Sequence, residues 1–291
     1  MNERRAETSV IEGLIFPEGL RWRDGQLWFC DVESHEVLTA EADGTIVARK
    51  SFPGEHPIGI AWTPDGELVV GGRYERLFSY RDGLAVLLQD LCADGSKSWS
   101  NDTVIDAAGR TYLSSFGKAY DLDDHASNVE RLKGVGRVLL RETDGSFRTL
   151  ATGLSMPNTM QLTPDGKTLM VSDSMANRIV SYDVDDDGSL GHETLVHQFD
   201  SMVDGSTLDV EGGLWVCLPH EQAAKRVLGG VVTDVVHFND EVFDVTLGGP
   251  NGTTMFAAVS NLVATTPVPE GQERSRPGHI YTVEVDVPGP R

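Results

Sequence analysis

Four residues with oxygen-bearing side chains, Glu18, Asn101, Asn158 and Asp204, stand at equivalent places in a repeating pattern. Each precedes a turn glycine (Gly25, Gly109, Gly166 or Gly212) by seven or eight residues. Ile58 before Gly66 and Phe243 before Gly252 complete the register, at eight and nine residues. If the repeats surround one axis, two carboxylates and two carboxamides meet with no lysine or arginine in the ring. Unpaired like charges at close range are costly, so such a ring calls for a counter-charge. A divalent cation meets that need. All four groups are hard oxygen donors, which favours Ca2+, Mg2+ or Mn2+ over a structural zinc site. Ca2+ takes about six to eight oxygens, so four protein ligands leave places for water or substrate. An ion with open positions polarises a carbonyl and acidifies bound water.

Taken singly, each residue has an ordinary reading. Glu18 in Phe16-Pro17-Glu18-Gly19-Leu20 is a turn residue, and Asn101 before Asp102 makes local backbone hydrogen bonds. Pro157-Asn158 is loop chemistry, and Asp204-Gly205 is one more hairpin turn. The shared register lifts the four above these readings.

The elements that must position them are hairpins. A short run rich in apolar and β-branched residues precedes each turn glycine, and a second follows it, as in Leu27-Trp28-Phe29, Leu68-Val69-Val70 and Leu214-Trp215-Val216. The glycines are separated by 41, 43, 57, 46 and 40 residues. That period, with several strands per unit, belongs to propeller blades. Asp-Gly pairs at 24–25, 43–44, 65–66, 82–83, 144–145, 165–166 and 187–188 supply hairpin turns. Helical periodicity is nearly absent. The expected fold is all-β: a six-bladed β-propeller with a central metal site, one domain over residues 1–291. The segment near Thr8 and the segment 279–285 are expected to complete one blade together, which removes exposed strand edges. Residues 118–135, with Tyr120, Asp121, His125 and Arg131, form an insertion in blade three that reads either as a lid or as a variable surface loop. Residues 219–230 are a second candidate rim, and 265–277 a proline-rich loop before the closing strand.

Composition excludes several classes. Lys plus Arg is 24 and Asp plus Glu is 45, for a formal charge of −21. That surface repels nucleic acid and anionic membranes, and there is no basic patch to offset it. No apolar run is long enough to span a membrane. Residues 1–7 lack the apolar stretch of a secretory signal, so a cytoplasmic location is expected. Three cysteines, Cys30, Cys92 and Cys217, match no zinc pattern, and two of them lie in strand-like runs as buried free thiols. Gly-x-Ser-x-Gly is absent, and no histidine falls in the six-position register. His125 and His220 lie in the candidate rim loops, where an ordinary surface histidine is the plain reading.

Certain stretches resemble the senescence-marker-protein, gluconolactonase and luciferin-regenerating-enzyme family. They are Pro17-Glu18-Gly19-Leu20, Ser100-Asn101-Asp102, Met156-Pro157-Asn158 with Ser172-Asp173-Ser174, and Asp204-Gly205 with Asp209-Val210-Glu211-Gly212-Gly213-Leu214-Trp215-Val216. The resemblance covers about residues 12–286. It implies a six-bladed propeller with one divalent cation in the central channel, Ca2+ first, with Zn2+, Mn2+ or Mg2+ as alternatives. It implies Glu18, Asn158 and Asp204 as metal ligands and Asn101 as a substrate contact or a further ligand. Asp204 also matches the proposed general base, although a metal-bound carboxylate is a poor base. One departure stands out. Sugar lactonases of the family often carry arginine where this chain has Trp99. Exchanging five donors for an indole argues against a polyhydroxylated sugar lactone and for a flatter or more apolar one, with Trp99 in contact with it.

The function expected is metal-dependent hydrolysis of a carboxylic ester bond, the opening of a lactone as small-molecule substrate by cation-assisted attack of water. An isomerase or lyase using the same cation, or a metal-stabilised binding propeller, is the alternative. Oligomeric state is not legible.

Overall fold

The computed structural model describes residues 2–121, 124–260 and 278–290. The loop expected over 265–277 lies outside the described residues. Six sheets, antiparallel but for one added strand, follow one another along the chain. Their innermost strands are Pro17–Arg23, Pro57–Trp62, Ser100–Ile105, Pro157–Leu162, Ser206–Leu208 and Glu241–Gly248. Each inner strand packs on the next, and the sixth packs back on the first, so the sheets close into a ring. This is the six-bladed propeller expected from the glycine period.

Adjacent blades share the core. Tyr112, Val138 and Leu140 of blade three pack with Met160, Val171 and Val180 of blade four. Leu20, Phe29 and Leu38 of blade one pack with Phe256, Ala258 and Ile280 of blade six. A sheet covered on both faces needs apolar residues at successive positions. That is why Leu214–Leu218 is buried along its whole length rather than alternating.

Closure follows the expectation and adds to it. Thr8–Leu14 pairs antiparallel with Gly278–Glu284 as the outermost strand of blade six. Asn2–Arg5 then pairs in parallel with Val231–His237, giving blade five a fifth strand. Arg4 reaches both Asp234 of that blade and Asp286 beyond blade six, at 3.5 and 2.5 Å.

Only some of the Asp-Gly pairs form two-residue turns. At Asp24-Gly25 and Asp82-Gly83 both residues have positive φ, which fits the right-handed twist of the flanking strands. The near-absence of helix has an exception in the insertion of blade three, a helix over His125–Arg131. Asp124 caps it by accepting from the Ser127 amide at 3.2 Å. Among the described residues no helix is long and apolar enough to cross a membrane.

Candidate functional site

The inner strands do not pair evenly, and the irregularity creates the site. In blade one Glu18 pairs with Cys30 but Arg21 pairs with Trp28, so the inner strand carries one extra residue. The same slip falls between Ser100 and Thr103, between Pro157 and Met160, between Pro57 and Gly59, and between Val242 and Asp244. Blade five makes the equivalent pairing through Asp204 N–H to Cys217 O (2.9 Å) and Cys217 N–H to Gly205 O (2.8 Å). A bulge frees residues from the ladder and re-aims their side chains. Here it falls at or beside the register position in every blade but the fifth.

All six register residues line one cavity of about 770 Å³ at the channel mouth. Glu18, Asn101, Asn158 and Asp204 supply its polar floor, and each is at most 7% exposed. Phe16, Ile58, Phe116, Met156, Met202 and Phe243 make much of the wall. The blade-three insertion adds Tyr120, Ala126 and Val129. Of the second candidate rim, only the turn Pro219–Glu221 reaches the cavity, through His220. Residues Ala223–Leu228 instead form the third strand of blade five.

Charge on this floor is poorly compensated. Burial pushes the Glu18 carboxyl well above its ordinary range, and the nearby Asp204 and Asp244 add to the shift. Burial likewise raises Asp204, with Asp244 next, while a hydrogen bond from Asn158 opposes it. Asp204 Oδ1 is buried without a hydrogen-bond partner. An orphaned buried carboxylate oxygen costs about 1–3 kcal/mol or more. A bound cation relieves this, and the donor set of two carboxylates with carboxamide oxygens fits a hard divalent ion. Among the described residues no group of three or more His, Cys, Asp or Glu forms a metal cluster, so such a site needs the asparagines.

One residue beyond the register lies a second layer. Its members are Gly19, Gly59, Asp102, Thr159, Gly205 and Asp244. Asp102 Oδ2 accepts from Met160 N–H at 2.9 Å, and Asp244 Oδ2 from Leu20 N–H at 2.7 Å. Each aspartate thus grips the following blade. Where the position is glycine the blades meet directly: a Cβ on Gly205 would lie 2.5 Å from Asp244 Cα, and one on Gly59 2.7 Å from Thr103 N. Arg21 Nη2 donates to Asp102 Oδ1 at 2.6 Å. Of the buried carboxylates here, Arg21 pairs with Asp102 and its charge also acts on Asp244, while Glu18 and Asp204 have no such partner. Burial raises Asp244 to about 7 despite Arg21 and the Leu20 amide. Cys30 and Cys217 are free and fully buried, and burial pushes both thiols up, which keeps them inert.

Trp99 lines the cavity and packs against two neighbouring side chains. The Arg73 guanidinium lies 4.9 Å from its centroid, and Tyr120 stacks on it at 6.1 Å. Arg73 also lines the cavity and is tied to Glu33. A guanidinium from blade two therefore reaches the wall that Trp99 occupies. Burial raises the Tyr120 phenol to about 12, with the charge of Asp204 contributing, so it stays protonated as a donor.

Residues 16–261 match the model of the SMP-30/Gluconolactonase/LRE-like region. The chain belongs to this family. It is 27% identical to an uncharacterised protein of Sulfolobus acidocaldarius, over 94% of this chain and 93% of that one. It is 24% identical to a pentonolactonase of Haloferax volcanii, over 65% of this chain and 63% of that one. The chain spans 41% of the Gallus gallus adipocyte plasma membrane-associated protein that it also matches. Among solved structures it resembles a calcium-binding protein, regucalcin, from Agrobacterium tumefaciens, with a TM-score of 0.80 at 18% identity over 100% of this chain and 97% of that one. At that identity the likeness concerns the fold.

Sequence reasoning passed over Asp244, Arg21, Arg73 and Glu241 in this SMP-30/gluconolactonase/LRE-like site. A signal existed for Asp244: like Asp102, it follows its register position by one residue. Arg73 and Glu241 carry no such signal: Arg73 lies in the turn after Leu68–Gly72, and Glu241 opens its inner strand ahead of the register position.

Proposed function

We propose that this protein is a metal-dependent hydrolase that opens a lactone, or cleaves an ester, whose organic part is largely apolar. The observation that carries this reading is the division of one cavity into an oxygen-rich, under-compensated floor and an apolar wall. Glu18, Asn158 and Asp204 would hold the cation. Bound there, Ca2+ or a related divalent ion supplies a Lewis acid for the substrate carbonyl.

The chain's own residues do the rest. The Asn101 carboxamide borders the same floor and donates to a substrate oxygen. Asn158 orients Asp204 through its hydrogen bond. From the cavity floor Asp204 also aligns the attacking water. Phe16, Ile58, Phe243 and the methionines exclude bulk water and hold the apolar part of the substrate. Trp99, packed against Arg73 and Tyr120, limits the shape that fits. Such walls offer few partners for the hydroxyls of a sugar, and unpaired hydroxyls are costly to bury.

The test is acid release from a panel of aliphatic, aromatic and sugar lactones and esters. It uses chelator-stripped protein with Ca2+, Mg2+, Mn2+ or Zn2+ restored, beside Asp204→Ala and Asn158→Ala. Cation-dependent hydrolysis that favours the apolar members and that both variants lose is the expected result. Silence of the cation-loaded protein across the panel would sink this reading.

A further inference from the structure

A carboxylate engaged with a cation is a weak base, so the hydrolysis proposed above needs another group to take the proton from water. The geometry points to His220 as that general base, held in its working tautomer by Glu241. This assignment rests on the hydrolase reading and adds the proton-transfer pair to it.

Both residues are carried by the elements that flank Asp204. Asp204 N–H donates to Cys217 O at 2.9 Å, and His220 stands three residues beyond Cys217 in the turn Pro219–Glu221. Pro219 is buried at the start of that turn and fixes its φ. On the other side, Gly205 N–H donates to Phe243 O at 2.7 Å, and Glu241 opens that strand two residues before Phe243. His220 and Glu241 both line the cavity, and the charge of Glu241 is felt at Asp204.

The pair has the polarity a base requires. His220 Nδ1 lies 3.3 Å from Glu241 Oε1. A carboxylate only accepts, so the proton of neutral His220 sits on Nδ1, and Nε2 keeps its lone pair. The His220 side chain is 51% exposed, which lets water reach it, whereas Glu241 is 17% exposed and stays put. The hydrogen bond to Glu241 raises His220 above its ordinary value, which strengthens it as a base near neutral pH. The other charges around it are Glu221, paired with Lys225 at 2.5 Å, and Asp204, Asp200 and Glu18 on the cavity wall. Arg73 is the one lysine or arginine among the described residues lining the cavity.

In the step itself, Nε2 takes a proton from water as the water oxygen bonds to the carbonyl carbon and the C=O π pair moves onto oxygen. The tetrahedral species then collapses and the C–O bond to the alcohol breaks. The imidazolium returns its proton to the departing alkoxide. One water is added, and His220 ends as it began.

The experiment compares wild type, His220→Gln, His220→Ala and Glu241→Gln in their cation-loaded forms. It records pH profiles of kcat and kcat/KM together with the cation-induced shift in Tm. With a base in this role, His220→Gln lowers kcat by about 10²–10⁴-fold and removes the acid limb of the profile. KM and the Tm shift stay close to wild type, because His220 is half exposed and holds no cation. Imidazole in the buffer restores part of the His220→Ala rate. Glu241→Gln moves the acid limb to lower pH, since the anion that raised the imidazole is gone. Turnover of His220→Gln within about threefold of wild type, with the acid limb in place, overturns the assignment. So does a loss of rate that comes with loss of the Tm shift, which marks a structural role. A wild type that hydrolyses nothing is a separate outcome: it removes the hydrolase reading and the base with it.

Discussion

Asp244 Oδ2 accepts a 2.7 Å hydrogen bond from the backbone N–H of Leu20, two residues beyond Glu18. The last blade thereby holds the first at the residue that opens the site. Asp102 repeats the relationship with Met160, two residues beyond Asn158. Two of the three groups assigned to the cation are therefore positioned by a carboxylate from the preceding blade. Arg21, from blade one, closes the pattern across the channel by binding Asp102 of blade three.

Arg21→Met leaves Asp102 without its ion-pair partner, at a side-chain exposure of 3%. Breaking one side of a buried pair costs about 3–5 kcal/mol. Urea denaturation of the variant should show a loss of that order. A loss below about 1 kcal/mol would place the pair with exposed ones.

Chelator-stripped protein should lose stability as pH rises. The Asp244 carboxyl titrates at about 7 in the folded chain against an ordinary 3.8. Between those values the folded state holds a proton that the unfolded state has released, so stability is fully present below about pH 4 and declines through about pH 7. Glu18 and Asp204 shift in the same direction and reinforce the slope. Saturating Ca2+ favours their ionised forms and should flatten it. Denaturation midpoints across this range, with and without the ion, test both statements.

Asp204→Asn should stabilise the stripped protein while abolishing its response to cation. The change removes a buried charge whose Oδ1 has no partner. The relief comes from losing an ionisable group that burial and the charge of Asp244 disfavour. For a chain of this size that raises Tm by roughly 2–4 °C per kcal/mol. A fall in Tm would mean that the floor is not under-compensated.

Substrate preference should follow apolar size. Burying one methylene against Ile58, Phe243 and the methionines contributes about 0.8 kcal/mol, or roughly fourfold in kcat/KM. In an alkyl-substituted lactone series kcat/KM should climb by about that factor per carbon until the cavity is filled. A flat series, or a preference for sugar lactones, would remove the apolar wall from the account.

Much of the architecture was legible in the chain. The six turn glycines and the apolar runs beside them set the number of blades, because local turn geometry and strand patterning act over a few residues. The same register marked Glu18, Asn101, Asn158 and Asp204, since equivalent positions in a closed ring must face one axis. Asp102 and Asp244 share a register of their own, one step further on, yet only the bulges turn them against a neighbouring blade. Tertiary structure alone decided which of the 45 acidic residues lose their water and which arginine answers them. It also brought Arg73, Tyr120, His220 and Glu241 to the cavity from loops and strand ends. Desolvation and inter-blade contact depend on what the rest of the ring places around a side chain, and no local pattern encodes that.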